Sequence, residues 1–116
     1  MHEMALTENV VDIVLKHAEM AQAKKVLYVR LKIGELRDIV HHLMEKCFRF
    51  VARETIAAEA VLEIVKIPIV VRCTACGKEK EESMDNFAQM KCQHCESTEL
   101  ELVKGNEFFI EDIEII

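Results

Sequence analysis

Cys73-Thr74-Ala75-Cys76 and Cys92-Gln93-His94-Cys95 place two CxxC pairs with fifteen residues between them, and no other feature limits this chain as much. Each pair turns two thiolates to one side of a tight knuckle, and two knuckles complete a tetrahedron at roughly 2.3 Å per Zn–S bond. Four thiolates leave no open coordination position, so the expected zinc is structural and not catalytic. An iron tetrathiolate is the chemically allowed alternative. Neither pair opens a helix in a βαβ setting, as a thioredoxin-like redox pair would, and neither is followed directly by His, as haem attachment requires. From Arg72 to Lys104 large aliphatic residues are sparse, and 5 basic residues face 7 acidic ones. Such a segment cannot bury a core of its own, but a zinc affinity of roughly 10–16 kcal/mol can stand in for one.

The rest of the 116-residue chain suffices for one ordinary core. Between Met4 and about Ala23, Leu6, Val10, Val14, Ala18 and Ala21 recur at helical spacing opposite Glu8, Asp12, Lys16 and Glu19, which predicts an amphipathic helix. Val26 to Ile33 alternates, with Leu27, Val29, Leu31 and Ile33 on one face and Tyr28, Arg30 and Lys32 on the other, and Gly34 closes this strand. A second helix is expected from about Arg37 to Thr55, with Val40, Leu43, Met44, Cys47, Phe48 and Val51 as its apolar face. Cys47 reads there as a small core residue. Val61 to Val71 is nearly continuous in β-branched residues and predicts a strand buried on both faces, with Pro68 pushing its end toward an edge or bulge. Phe108 to Ile116 predicts a third strand whose alternation slips at Glu111 and Asp112, through a bulge or a shorter strand. The expected fold is α+β, two helices packed on a small three-stranded sheet with an inserted zinc-ribbon-like module. Residues 1–71, completed by 105–116, would form one domain and 72–104 the other.

A net charge of -6 is the wrong sign for a protein that neutralises phosphates, and neither part is basic. None of the three glycines opens a GxxxxGK or GxGxxG pattern, so no phosphate-cradling loop is expected. No run approaches the roughly 20 apolar residues of a membrane span, and the start lacks the pattern of a signal peptide. A cytoplasmic chain is expected, and its odd cysteine count argues against a disulfide framework. No nucleophile has a nearby base, so no enzyme is expected.

Met1-His2-Glu3 is the other chemically informative constellation. The α-amine, the amide nitrogens of His2 and Glu3 and the His2 imidazole can reach one ion through small chelate rings. Square-planar nitrogen donors suit Ni(II) or Cu(II). The bulk of His2 is expected to keep Met1 in place. Because the amides must ionise, binding releases protons and weakens in acid, which suits delivery better than storage. Taken alone, the tripeptide reads more readily as an ordinary frayed helix end than as a metal site. His17 shares a stripe with Val10 and Val14 and is expected at the core edge. His41 and His42 leave the apolar face progressively, and Asp38 with His42 reads as a solvated pair. His94, inside the second knuckle, reads as a solvated loop residue close enough to exchange with a thiolate.

The Met-His-Glu start, a helix-strand-helix-strand run containing Lys32-Ile33-Gly34-Glu35-Leu36, the CxxC-x15-CxxC module and a returning last strand together resemble the HypA/HybF family of nickel metallochaperones. The resemblance covers essentially the whole chain. It implies a nickel-binding domain and a zinc domain in a cytoplasmic protein that passes nickel on for maturation of [NiFe]-hydrogenase. Implied partners are a GTPase of the HypB type, the hydrogenase large subunit and, in some bacteria, a urease accessory protein, with a homodimer left open. By the same resemblance Met1 (through its amine), His2 and Glu3 match the nickel motif, and Cys73, Cys76, Cys92 and Cys95 match the zinc motif. The chain departs at Arg37-Asp38-Ile39, where relatives commonly place small residues, and in having His94 between two cysteines. A zinc-ribbon adaptor for protein or nucleic acid is the competing reading, and its nucleic-acid form needs a basic face that is missing here. A metal-dependent hydrolase conflicts with a closed metal site.

Overall fold

The computed structural model describes residues 2–85 and 91–116; Met1 and residues 86–90 lie outside that description. In chain order come α1 (Glu3–Met20), β1 (Val26–Gly34), a 3-10 turn (Glu35–Arg37), α2 (His41–Ala52), β2 (Val61–Ile67), β3 (Ile69–Cys73), β4 (Glu79–Glu82), β5 (Leu100–Lys104) and β6 (Phe108–Ile115). Contacts divide the chain into two units. The first comprises the chain up to Lys32, Ile39–Val65 and Phe109–Ile116, and the second comprises Ile33–Asp38 and Lys66–Phe108.

In the first unit α1 buries Glu3, Thr7, Val10, Val11, Val14 and Ala18, a spacing that keeps them on one face. His17 is exposed and not at the core edge, although it lies close in angle to buried Val10. Met44, Cys47, Phe48 and Ala52 form the buried face of α2, and α1 and α2 pack on one another. The helices accompany a three-stranded sheet in the order β2-β1-β6. Val29, Leu31 and Ile33 of β1 are buried, and the alternating Tyr28, Arg30 and Lys32 keep partial contact with solvent. Leu27 breaks the expected alternation: it is exposed and Val26 is buried in its place.

On that polar face Arg30 donates to Glu63 of β2 at 2.8 Å and to Asp112 of β6 at 2.7 Å, and the Tyr28 hydroxyl also donates to Glu63. Lys32 meets Glu111 at 3.4 Å. β6 extends over Phe108–Ile115, not a shorter strand, and its adjacent acids Glu111 and Asp112 both reach basic residues of β1.

Two predicted elements take different bounds. The second helix begins at His41 and not at Arg37, because Glu35–Arg37 closes a 3-10 turn and Asp38 then adopts a left-handed conformation at φ 51°. Val40 and Leu43 are exposed and not part of the apolar face. The strand expected from Val61 to Val71 divides at Pro68, which has no N–H to give a ladder, so β2 and β3 belong to different sheets. Nor is β2 buried on both faces, since only Leu62 is fully covered.

The second unit is an antiparallel sheet in the order β4-β3-β5. Arg72 lies opposite Glu79 and Glu101, and its guanidinium bonds both, at 2.7 and 3.1 Å. Glycine is required at two points here. A β-carbon on Gly34 would come within 2.1 Å of the Gly105 carbonyl oxygen, and one on Gly105 within 2.7 Å of the Ile69 Cα. Gly105 also holds φ at +122°, which L side chains rarely adopt. Among the described residues no helix is long and apolar enough to cross a membrane.

Candidate metal centres

The two CxxC pairs become matching turns. In the first, Cys73 N–H donates to Lys78 O (2.9 Å) and Gly77 N–H to Cys73 O (2.8 Å). In the second, Cys92 N–H donates to Ser97 O (2.8 Å) and Glu96 N–H to Cys92 O (2.7 Å). The offsets are identical, so each turn presents its two sulfurs alike. Thr74 fastens the first turn to the approach of β5, with its N–H and hydroxyl both donating to the Glu99 carbonyl at 2.9 Å.

The ligand atoms of Cys73, Cys76, Cys92 and Cys95 all lie within 4.8 Å of one another. Across the turns, Cys73 Sγ is 3.6 Å from Cys95 Sγ and Cys76 Sγ is 3.5 Å from Cys92 Sγ. A regular tetrahedron with bonds of roughly 2.3 Å has edges of about 3.8 Å, so these sulfurs are set for a tetrathiolate ion. Cys73 and Cys92 are buried, and Cys76 and Cys95 are exposed. The Cys76 amide pulls the Cys73 thiol below its ordinary range, and the Cys95 amide lowers Cys92 to about 6. The amides of Lys78 and Ser97 act likewise on Cys76 and Cys95. There desolvation and the neighbouring sulfurs prevail, raising Cys76 and pushing Cys95 up to about 12. Four clustered thiols therefore do not ionise together unaided, and a bound cation would supply the charge they lack. The cluster forms without His94, which is exposed in the second turn.

At the other candidate centre Met1 lies outside the described residues. His2 is exposed and flanks α1 at φ -110°, ψ 62°, with its carbonyl accepting from Leu6 N–H at 3.0 Å. Amides in the first turn of a helix have no intrahelical acceptor, so those of His2 and Glu3 are not tied into the ladder. The Glu3 side chain is buried, and its Oε2 accepts the Val40 N–H at 3.1 Å. That amide is the main cause holding the Glu3 carboxyl below its usual range. Thr7 Oγ1 donates to the Glu3 carbonyl at 2.6 Å. Glu3 thus spends its carboxylate fastening the start of α1 to the residue before α2 and offers its backbone nitrogen. Sequence spacing found the four cysteines; it carried no signal for the Glu3–Val40 link, because every residue type except proline has the amide involved.

A family model described as "Hydrogenase/urease nickel incorporation, metallochaperone, hypA" matches residues 1–115. Hydrogenase maturation factor HypA of Dehalococcoides mccartyi (strain CBDB1) is 36% identical over 115 residues, covering 99% of this chain and 94% of that protein. HypA of Nostoc punctiforme is 37% identical over 115 residues, covering 99% and 96%. The solution structure of the Ni metallochaperone HypA from Helicobacter pylori shares the fold at TM-score 0.68 and 24% identity, covering 100% of this chain and 98% of that one. A second HypA solution structure gives TM-score 0.73 at 24% identity, covering 100% and 97%. With its whole length matched and relatives above one third identical, the chain belongs to the HypA family of hydrogenase and urease nickel-incorporation metallochaperones.

Proposed function

We propose that this protein carries Ni(II) at its amino terminus, bound by the Met1 α-amine, the amide nitrogens of His2 and Glu3 and the His2 imidazole, and delivers it for maturation of [NiFe]-hydrogenase. The supporting observation is an exposed His2 at the start of α1, beside first-turn amides free of the helix ladder, in a chain of a nickel-incorporation family. Glu3 contributes through its backbone, while its carboxylate anchors the terminus beside α2. Cys73, Cys76, Cys92 and Cys95 hold a structural zinc, a reading supported by their tetrahedral spacing. In this reading residues 1–71 with 105–116 act as the nickel domain and 72–104 as the zinc domain of a cytoplasmic carrier with no catalytic activity. A HypB-type GTPase and the hydrogenase large subunit are its partners, with urease accessory proteins as an alternative destination and homodimerisation as an open feature of the carrier.

Untagged protein should take up one nickel and one zinc in native mass spectrometry. His2→Ala should abolish nickel uptake while zinc content and helical signal stay unchanged, and acetylating the Met1 amine should weaken uptake for the same reason. Unchanged nickel affinity in His2→Ala overturns the assignment.

A further inference from the structure

A cleft of about 320 Å³ in the second unit is lined by Val71 and Leu100 from the sheet, by Lys78 and Lys80 from the first knuckle and β4, and by Lys91 and Gln93 from the second knuckle. Strand pairing decides which charges reach it. Val71 lies opposite Lys80 and Cys73 opposite Leu100, so these side chains share one face of the sheet, while Arg72, Glu79 and Glu101 share the other. Two acids also line the cleft, and both carboxylates are engaged: Glu79 bonds Arg72 at 2.7 Å, and Glu82 lies 3.4 Å from Lys80. Lys78 and Lys91 have no ion-pair partner among the described residues, and the intervening Asn-Phe-Ala-Gln-Met of residues 86–90 contains no acid to supply one. In a chain of net charge -6, two uncompensated cations therefore stand beside an apolar strip.

That combination fits a ligand that joins carboxylates to an apolar side chain. A phosphate is a poorer match, because Glu79 and Glu82 repel a multiply charged anion and Val71 and Leu100 are left with nothing to cover them. We propose that this cleft docks an acidic segment of a partner protein, with an apolar side chain against Val71 and Leu100 and flanking carboxylates on Lys78 and Lys91. Lys78 follows the first cysteine pair by two residues and Lys91 precedes the second by one, so the sulfur cluster sets the spacing of the two cations. The docking residues belong to the second unit and the amino terminus to the first, so partner recognition and nickel chelation draw on different residues.

The probe is a short peptide carrying one leucine between paired glutamates, titrated at constant ionic strength into the zinc-loaded, 15N-labelled full chain and followed by amide NMR shifts. Wild type should show saturable shifts centred on Val71, Lys78, Lys80, Lys91 and Leu100, weaker at high salt. Lys78→Glu combined with Lys91→Glu should weaken binding by roughly tenfold, with zinc content and helical signal unchanged. Lys16→Glu combined with Lys24→Glu, the same charge change in the first unit, should leave it as it was. Lys78→Gln with Lys91→Gln supplies the comparison if the charge reversal expels zinc. Absence of saturable shifts in wild type, or equal affinity in wild type and the Lys78/Lys91 variants, overturns the site. So does a serine-for-leucine peptide that binds as tightly, which would mean charge alone, or inorganic pyrophosphate that displaces the peptide at equal concentration, which would mean a phosphate site. These measurements use no nickel, so they stand or fall separately from the nickel reading.

Discussion

Gly77 and Glu96 occupy the same place in the two knuckles, four residues after the leading cysteine, and both have positive φ, at 80° and 62°. Glycine adopts this conformation freely, whereas a residue with a β-carbon loses about 1 kcal/mol there. A β-carbon at Gly77 would meet nothing within 4 Å, so Gly77→Ala should cost conformational energy alone. About 1 kcal/mol corresponds to roughly fivefold weaker zinc binding, measurable by competition with a chelator. Undiminished affinity would mean that the turn relaxes to another shape. Glu96→Gly should shift affinity the other way by less, because glycine also gains freedom in the unfolded chain. The cysteine spacing announced this cluster because tetrahedral coordination admits few spacings. Nothing in the residue type announced the left-handed backbone of Glu96, which is imposed by the hydrogen bonds of the turn.

At the scale of elements, α1 and β1 were legible because their burial follows one regular period through Val10, Val14 and Ala18 and through Val29, Leu31 and Ile33. The start of α2 was not, since apolar periodicity runs on through residues that a 3-10 turn and Asp38 hold out of the helix. β4 and β5 were missed because their charged side chains are mostly exposed, and backbone pairing with β3 supplies what periodicity would otherwise report. The polar face of β1 carries a consequence for acid stability. Glu63 is held below the usual carboxylate range by the Tyr28 hydroxyl first and the Arg30 guanidinium second. A depressed carboxyl favours the folded state above its unfolded pKa, near 4.3, and this contribution disappears as pH falls through the lower folded value. Glu63→Gln should therefore be less stable than wild type at pH 7 and should show a shallower loss of stability below about pH 5. Parallel acid denaturation curves for the two proteins would show that the network adds nothing.

For the molecule as a whole, the α-helices among the described residues, α1 and α2, belong to the first unit, and the described part of the second consists of strands, turns and the sulfur cluster. Stripping the metal with a chelator should therefore abolish the structure around β3, β4 and β5 and leave the helical circular dichroism largely in place. Helices that melt together with zinc loss would show that the units fold only jointly. The pairing of Arg30 with Asp112 joins residues 82 positions apart, so the sheet of the helical unit is among the last things the chain can close. β3 and β5 set Val70 beside Lys104, which short-circuits much of that intervening chain once the knuckles are shut. By the logarithmic dependence of closure entropy on loop length, the shortcut lowers the cost of bringing β1 and β6 together by about 0.5 kcal/mol. An ion held by the four cysteines, as in the zinc reading proposed above, would then act in time as well as in space: a chain that has already captured it would complete the sheet of the helical unit roughly twice as fast as one that has not.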